Sequence, residues 1–139
     1  MTEPSVRGVL DTSTVVLLGL LVVADLPYEP VITAVTLAEL SVGPLVANDE
    51  QERAARQALL QQAEADFEPL PFDTQAARSF GGVAASLRRS GRKVQARAFD
   101  AMIAATAIAN DLPVYTVNPS DFEGIVGLEL HPVPRPDKR

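Results

Sequence analysis

Three long apolar stretches of this chain each contain a single carboxylate and no other ionisable side chain. Residues 8–24 contain Asp11, residues 30–48 contain Glu39 and residues 98–110 contain Asp100, although 22% of the whole sequence is charged. An ionised carboxylate among apolar neighbours costs free energy unless it is hydrogen-bonded and paired with a cation. Three such groups predict one shared cationic partner, and a divalent metal ion is the simplest.

A fourth carboxylate, Asp121, follows an apolar segment late in the chain, as Asp11 does near its start. Carboxylates from separate elements are the protein ligands that suit Mg²⁺, which keeps several of its waters. An ion held in this way polarises a phosphoryl oxygen and lowers the pKa of an attacking water. The candidate ligands of a magnesium-dependent phosphodiester hydrolase are therefore Asp11, Glu39, Asp100 and Asp121.

Each of these carboxylates also has an ordinary structural explanation. Asp11 is a suitable N-cap for a helix that begins at Ser13, and Asp100 suits the first turn of a helix. Glu39 would be unremarkable on the solvent edge of its helix, and an Asp after Asn-Pro-Ser is common in turns. The metal-site hypothesis is favoured because the structural alternative needs four independent explanations.

Other catalytic motifs are absent or misplaced. A phosphoaspartate phosphatase has a second Asp two residues after the first, where this chain has Ser13. Gly81 and Gly82 fall within a helical pattern rather than in a phosphate-binding loop. The one histidine, His131, lies near the C-terminal tail, so we interpret it as structural rather than as part of a triad or a zinc site.

Short apolar segments alternate with helical patterns along the chain. Strands are predicted to end at Leu10 and to span residues 31–33, 114–117 and 128–130, with an edge strand or extended loop over 67–72. Helices are predicted over 13–24, over 35–46 with a bend or end at Gly43-Pro44, over 48–65, from Asp73 to near Gly91, and over 98–109. This alternation predicts an α/β/α sandwich with a short, mostly parallel central sheet, whose functional residues lie beyond the carboxyl ends of the strands.

The length and composition are those of one compact domain. We assign residues 1–134 to it and residues 135–139 to a charged tail; the interior must be aliphatic, since the 139 residues include no Trp, two Tyr and five Phe. The absence of cysteine excludes disulfides, thiolate zinc sites and cysteine nucleophiles. The apolar run 15–24 is far short of the roughly 20 residues that cross a bilayer, and Asp11 with a lone Arg7 disfavours a signal peptide. A cytoplasmic protein is predicted.

The basic residues are concentrated in one region. A net charge of −6 argues against a protein that coats nucleic acid by bulk electrostatics. Six of the twelve Lys and Arg residues nevertheless fall within residues 78–97. Cations near a helix C-terminus explain any one of them. The alternative is a rim that holds RNA phosphates beside the acidic site, formed by Arg88, Arg89, Arg92, Lys93 and Arg97.

Four segments in chain order carry a family resemblance: Val9-Leu10-Asp11-Thr12-Ser13, Leu37-Ala38-Glu39-Leu40, Phe99-Asp100-Ala101-Met102-Ile103-Ala104-Ala105-Thr106-Ala107 and Thr116-Val117-Asn118-Pro119-Ser120-Asp121-Phe122. In this order they resemble the PIN-domain nucleases of the VapC toxin type, over nearly the whole chain. The resemblance implies a PIN-like fold and a metal-dependent endoribonuclease that acts as the toxin of a toxin–antitoxin pair. It also implies a small VapB-like antitoxin partner and, usually, a homodimer.

The resemblance also implies roles for individual residues. The four carboxylates would hold Mg²⁺ or Mn²⁺, with Asp11 and Asp100 the surest ligands and either Glu39 or Asp121 orienting the attacking water. The hydrogen-bonding groups that orient the ligands would be Thr12, Ser13, Thr116 and Asn118. The chain departs from similar sequences at Val117, where Arg is common, so a phosphate contact there is expected to be missing or to come from elsewhere.

Two functions of other kinds are compatible with the same fold. One is a non-catalytic module that binds a partner protein, and the other is a magnesium-dependent phosphatase or DNA nuclease. The four carboxylates disfavour the first, because a pure binding module has no reason to retain their mutual repulsion.

Overall fold

Four short parallel strands form the centre of the molecule. The structure, a computed structural model, describes residues 6–136. The strands are β1 (Arg7–Leu10), β2 (Glu29–Val31), β3 (Val114–Thr116) and β4 (Leu130–Pro132). Their order in the sheet is β2-β1-β3-β4, and each neighbouring pair is parallel. The predicted α/β fold is confirmed, and the sheet is wholly parallel within this range.

Helices and short turns connect the strands. The helices are α1 (Thr12–Val16), α2 (Ala34–Val42), α3 (Glu50–Asp66), α4 (Thr74–Arg89) and α5 (Ala98–Ala109). Single 3₁₀ turns lie at Leu18–Leu20, Val23–Asp25, Gly43–Val46, Gln95–Arg97 and Pro119–Phe122. The Asp49 and Asp73 side chains cap α3 and α4, each by accepting a hydrogen bond from a backbone N–H three residues on. No helix in the described part of the chain is long and apolar enough to cross a membrane.

The core has two layers, one on each face of the sheet. Successive strand residues point to opposite faces, so Val9 and its partner Val114 belong to one buried cluster, and Leu10 and its partner Tyr115 belong to the other. The first cluster is completed mainly by α4 and α5, and the second by α1 and α3. This is the predicted sandwich of helices around a sheet.

The helix predicted over residues 13–24 is wrong in extent. α1 ends at Val16, and the rest of the apolar run forms two 3₁₀ turns. Gly19 weakens a helix, and β-branched valines lose side-chain freedom there. Because the helix stops at Val16, Leu17, Leu18 and Leu21 can all pack against the second core cluster. A continuous helix would direct some of these side chains away from it.

Two strand positions are shifted by about two residues from the prediction. β2 ends at Val31 because Thr33 caps α2, accepting a hydrogen bond from the Thr36 N–H, so residue 33 begins the helix rather than ending the strand. β4 begins at Leu130 instead of residue 128. The extended segment 67–72 is confirmed, since Leu70 makes a parallel bridge with Thr33. α2 ends before Gly43-Pro44, as predicted.

The proposed domain limits remain a prediction. Residues 1–5 of the assigned domain and residues 137–139 of the assigned tail lie outside the described residues.

A glycine in β1 is a sensitive point of the core. A Cβ added at Gly8 would lie 2.6 Å from the Tyr115 ring, which is 4% exposed and stacks on His131. Overpacking of this kind costs roughly 1–3 kcal/mol. Gly8→Ala is therefore expected to lower the free energy of unfolding by that amount in chemical denaturation.

Gly82 provides the matched control for this substitution. It lies exposed on α4 with open space where a Cβ would be, so Gly82→Ala should raise the free energy of unfolding by roughly 0.5–1 kcal/mol. If Gly8→Ala and Gly82→Ala change the free energy of unfolding by the same amount, the steric overlap expected between a Cβ at position 8 and the Tyr115 ring is contradicted.

Candidate active site

Asp11 lies where β1 ends and α1 begins, at the carboxyl edge of the sheet. Its side chain is 2% exposed. Its Oδ1 accepts hydrogen bonds from the N–H of Thr14 at 3.3 Å and from the Thr14 hydroxyl, which makes it the N-cap of α1. Its Oδ2 accepts hydrogen bonds from Ser13 Oγ and Thr116 Oγ1, each at 2.9 Å. Asp11 is thus both a helix cap and a carboxylate held in one orientation.

Burial and hydrogen bonding act in opposite directions on Asp11. Burial raises its pKa above the ordinary value, and the hydrogen bonds from Thr14, Thr116 and Ser13 lower it in part. The donors therefore stabilise the ionised form in a place that otherwise disfavours it.

Glu39 is directed towards the same place from α2. The Thr12 hydroxyl donates a hydrogen bond to Glu39 Oε1 at 2.6 Å, and Thr36 Oγ1 lies 2.9 Å from Thr12 Oγ1. Burial raises the pKa of Glu39, the bond from Thr12 lowers it, and the charge of Asp11 raises it again. The half-buried side chain is thus held beside Asp11, which the solvent-edge explanation does not require.

Asp100 shows that the four carboxylates share one electrostatic environment. It lies in the first turn of α5 and is partly buried. Burial is the largest cause that raises its pKa to about 6, followed by the charges of Asp121, Asp11 and Glu39, while Arg97 lowers it. Charges on three other elements reach this carboxyl group, so the fold gathers all four acids at one edge of the sheet.

Asp121 is the carboxylate with a cationic partner. It lies in the 3₁₀ turn Pro119–Phe122 that follows β3, and Arg97 Nη1 donates to its Oδ1 at 2.5 Å. Both side chains are about one-third exposed, 35% for Arg97 and 28% for Asp121. The Arg97 guanidinium therefore offsets the negative charge of Asp121, one of the four carboxylates.

The donor set suits a hard divalent cation. Within residues 6–136 no three His, Cys, Asp or Glu side chains are arranged closely enough to hold a metal ion as they stand. Hydroxyls and Arg97 engage the carboxylate oxygens of Asp11, Glu39 and Asp121 instead. All the candidate ligand atoms are nevertheless carboxylate oxygens, as Mg²⁺ and Mn²⁺ prefer. A bound cation would also offset the free-energy cost of burying the Asp100 charge and of placing it near the other carboxylates, the two causes that raise its pKa. The residues fit a divalent ion in chemistry and charge.

The four residues expected to orient the ligands lie around Asp11 and Glu39. Thr12, Ser13 and Thr116 donate directly to these carboxylates. Asn118 contacts them through intermediaries, with its Nδ2 donating to Ser13 Oγ at 3.0 Å and its N–H to Thr116 Oγ1 at 2.9 Å.

Two residues of the basic segment contact the turn that holds Asp121. Arg92 donates to the carbonyl of Ser120, next to Asp121, and its guanidinium lies 3.5 Å from Glu123. Arg97 pairs with Asp121. Arg88 and Arg89 lie in the last turn of α4, and Lys93 follows; all three are exposed. Of the proposed rim residues, Arg92 and Arg97 contact the site turn directly.

Sequence reasoning missed three residues of this network. Thr14 donates to Asp11 and accepts from the N–H of Val117, Thr36 contacts Thr12, and Arg135 donates to Asn118 Oδ1. Thr14 was detectable, because the residue three positions after an N-cap commonly bonds to it. Thr36 and Arg135 gave no such local signal, because their partners are distant in sequence. Arg135 also shows that the first residue of the assigned tail packs against the site.

Comparison with known proteins identifies the family. The PIN domain family model matches residues 9–125, which include all four carboxylates. The chain is 41% identical over 130 residues to Ribonuclease VapC5 of Mycobacterium tuberculosis, covering 91% of this chain and 93% of that protein. The chain belongs to the PIN-domain family, in its VapC group. The resemblance that the sequence motifs indicate is confirmed.

Further VapC proteins agree in sequence and in fold. Ribonuclease VapC of Rickettsia bellii is 30% identical over 106 residues, which are 76% of this chain and 78% of that one. The crystal structure of VapBC-5, a member of the VapBC family of toxin–antitoxin systems from Mycobacterium tuberculosis, matches with a TM-score of 0.80 and 40% identity, covering 92% of this chain and 99% of that chain.

The pKa of Asp100 predicts how pH affects stability when divalent metal is absent. In the folded protein the Asp100 carboxyl keeps its proton up to about pH 6, whereas in the unfolded chain it loses it near pH 3.8. The stability contributed by the protonated carboxyl is therefore fully present below pH 3.8 and is lost as pH rises through about 6. In EDTA, the melting temperature of Asp100→Asn minus that of the unchanged protein should therefore increase between about pH 4 and about pH 7.5.

Asp111→Asn is the control for this measurement. Asp111 is exposed beyond the other end of α5 with φ of 54°, a conformation that Asn adopts readily. If the melting-temperature difference between Asp100→Asn and the unchanged protein is the same at about pH 4 and about pH 7.5, the pKa of Asp100 is not raised in the folded protein.

Proposed function

We propose that this chain is a metal-dependent endoribonuclease and the toxin of a toxin–antitoxin pair. The observation that carries the proposal is the gathering of four carboxylates from separate elements: burial, followed by the charges of Asp121, Asp11 and Glu39, raises the pKa of Asp100 to about 6. A fold that only binds a partner gains nothing from this repulsion, whereas a divalent cation converts it into affinity. The relatives named as VapC ribonucleases support an RNA substrate.

Asp11, Glu39, Asp100 and Asp121 would hold Mg²⁺ or Mn²⁺ in this proposal. When bound, the ion supplies Lewis acidity, polarising a phosphoryl oxygen and lowering the pKa of an attacking water so that the phosphodiester bond is hydrolysed.

Neighbouring side chains orient the carboxylates for separate roles in this proposal. Hydroxyl donors fix the orientation of Asp11 and favour its ionised form, and Thr12 holds Glu39 towards it. Glu39 lies on α2 and Asp121 on the turn after β3, and either is suited to accept a hydrogen bond from the attacking water and orient it.

The basic segment supplies the positive charge that RNA binding needs in an acidic protein. Arg97 carries its guanidinium to Asp121, where it can also meet a phosphate by paired hydrogen bonds. Arg88, Arg89 and Lys93 are exposed in the stretch of chain that leads from the end of α4 to Arg97, and they are suited to position the RNA backbone without reading its sequence.

The partner in this proposal is a small VapB-like antitoxin, and the toxin is a cytoplasmic homodimer. Structures of VapBC complexes match this fold, which supports the antitoxin. Large apolar side chains also stay exposed in two segments, with Leu20 68%, Val23 83% and Leu45 85% exposed. Large exposed apolar side chains that are close in sequence, as in these two segments, are typical of surfaces that other chains cover.

Cleavage by the purified protein, freed from any partner, tests the activity. Structured RNA should be cleaved with Mg²⁺ or Mn²⁺ and not in EDTA. Asp100→Asn should lower kcat by at least about 100-fold, because substitution of groups that merely support metal ligands already costs about 10–100-fold. Asp111→Asn, which removes the same charge far from the site, should cleave as the unchanged protein does.

Each alternative function has its own outcome in this assay. Faster cleavage of matched DNA than of RNA would make the protein a DNA nuclease, and release of phosphate only from monoesters would make it a phosphatase. If no nucleic acid is cleaved and Mn²⁺ does not raise the melting temperature, the interaction module replaces the proposal.

A pair of double variants tests the basic rim. Arg88→Gln with Arg89→Gln should raise KM for RNA, leave kcat unchanged, and reduce the slope of log KM against log salt by about 0.7 for each RNA phosphate that the arginines no longer neutralise. Arg7→Gln with Arg53→Gln removes equal charge from exposed side chains that pair with Glu29 and Glu50, and should leave the slope unchanged. Identical slopes in the two double variants would remove Arg88 and Arg89 from the rim.

A further inference from the structure

The segment after β4 brings a guanidinium to the network around Asp11. Arg135 Nη1 donates a hydrogen bond to Asn118 Oδ1 at 2.7 Å. β3 and β4 are parallel neighbours, so the residues that follow them meet at the same edge of the sheet. Val133 is 3% exposed, and its N–H donates to the Thr116 carbonyl at 2.7 Å, which anchors the segment two residues before Arg135.

Proline residues restrict the path of this segment. Pro134 and Pro136 flank Arg135. Proline fixes its own φ, and a residue before proline is confined to extended conformations. The Arg135 backbone is therefore largely ordered before its side chain makes any contact, so less conformational entropy is lost when the guanidinium bonds to Asn118.

The contact fixes the direction of each hydrogen bond between Arg135 and Asp11. A guanidinium only donates, so it orients the Asn118 amide with Oδ1 towards Arg135 and Nδ2 towards Ser13. Since Ser13 Oγ accepts from Nδ2, its own hydrogen is free to bond to Asp11 Oδ2, at 2.9 Å. The chain of donors runs from Arg135 through Asn118 and Ser13 to the carboxylate.

Without the guanidinium this direction is no longer enforced. An Asn amide turned by half a rotation would present Oδ1 to Ser13, and the Ser13 hydroxyl would then donate to Asn118 instead of to Asp11. Asp11 Oδ2 would then lose one of its two hydroxyl donors and keep the one from Thr116. The orientation of the Asp11 carboxylate would therefore be less well defined.

We propose that Arg135 is a positioning residue of the acidic site, acting on Asp11 through Asn118 and Ser13. The inference rests on the proposed function, since it concerns the same metal-binding carboxylates. It gives the first residue of the assigned tail a role in metal affinity and turnover rather than in substrate binding.

Metal affinity is the direct readout of this role. Binding of Mn²⁺, measured by calorimetry without RNA, should weaken by roughly tenfold in Arg135→Gln, at the lower end of the effect of groups that orient metal ligands. In RNA cleavage the variant should lower kcat at subsaturating Mn²⁺ and leave KM nearly unchanged. Arg135→Lys keeps a charged donor for Asn118 Oδ1 and should recover most of both losses.

Arg53→Gln is the matched control, because it removes an exposed guanidinium on α3 that pairs with Glu50. It should bind Mn²⁺ as the unchanged protein does. The Asn118 side-chain NH₂ signals in a ¹⁵N–¹H spectrum, identified by their loss in Asn118→Ala, give a second readout that needs no activity. They should shift and exchange faster with water in Arg135→Gln and not in Arg53→Gln.

The outcomes separate this inference from the proposed function. If the unchanged protein neither binds Mn²⁺ nor cleaves RNA, the proposed function fails, and the NMR comparison alone then decides whether Arg135 orients Asn118. If the unchanged protein does both, and Arg135→Gln matches Arg53→Gln in Mn²⁺ affinity, the inference is overturned. A rise in KM alone would also overturn it, by making Arg135 a phosphate contact.

Discussion

Electrostatic repulsion among four carboxylates is the constraint on which the rest of this structure depends. Parallel strands place their carboxyl ends at one edge, so residues that follow β1 and β3 meet there, and α2 and α5 bring Glu39 and Asp100 to the same place. Burial weakens the screening by water that would let these charges coexist. The raised pKa of Asp100 is the clearest expression of this conflict.

The protein reduces the repulsion unequally at the four positions. Asp11 receives hydroxyl and backbone donors, Glu39 receives the Thr12 hydroxyl, and Asp121 receives the guanidinium of Arg97. For Asp100, burial and neighbouring charges set the pKa, with no hydrogen bond within residues 6–136 among the causes that lower it. The charge state of Asp100 therefore depends on whether a cation is present beside it.

The parts of this arrangement that could be read from the sequence are those with local causes. Isolated acids in apolar stretches and the alternation of strands and helices are local patterns, and they predicted the fold and the residues that the structure brings together. The end of α1 at Val16 was missed because packing of Leu17 and Leu21, rather than helix periodicity, decides the path after it. Thr36 and Arg135 were missed because a hydrogen bond across the fold leaves no pattern in the nearby sequence.

The apolar side chain of Val117 limits where the proposed RNA-binding site can obtain positive charge. Side chains alternate beyond β3, so Thr116 and Asn118 face Asp11 and Ser13, whereas Val117 is 4% exposed and packs with Leu10 in the second core cluster. An Arg in place of Val117 would have to displace this apolar packing to bring its guanidinium to solvent. In the proposed function, positive charge for a phosphate therefore comes from elements beside the sheet, and the segment carrying Arg92 and Arg97 contacts the turn that holds Asp121.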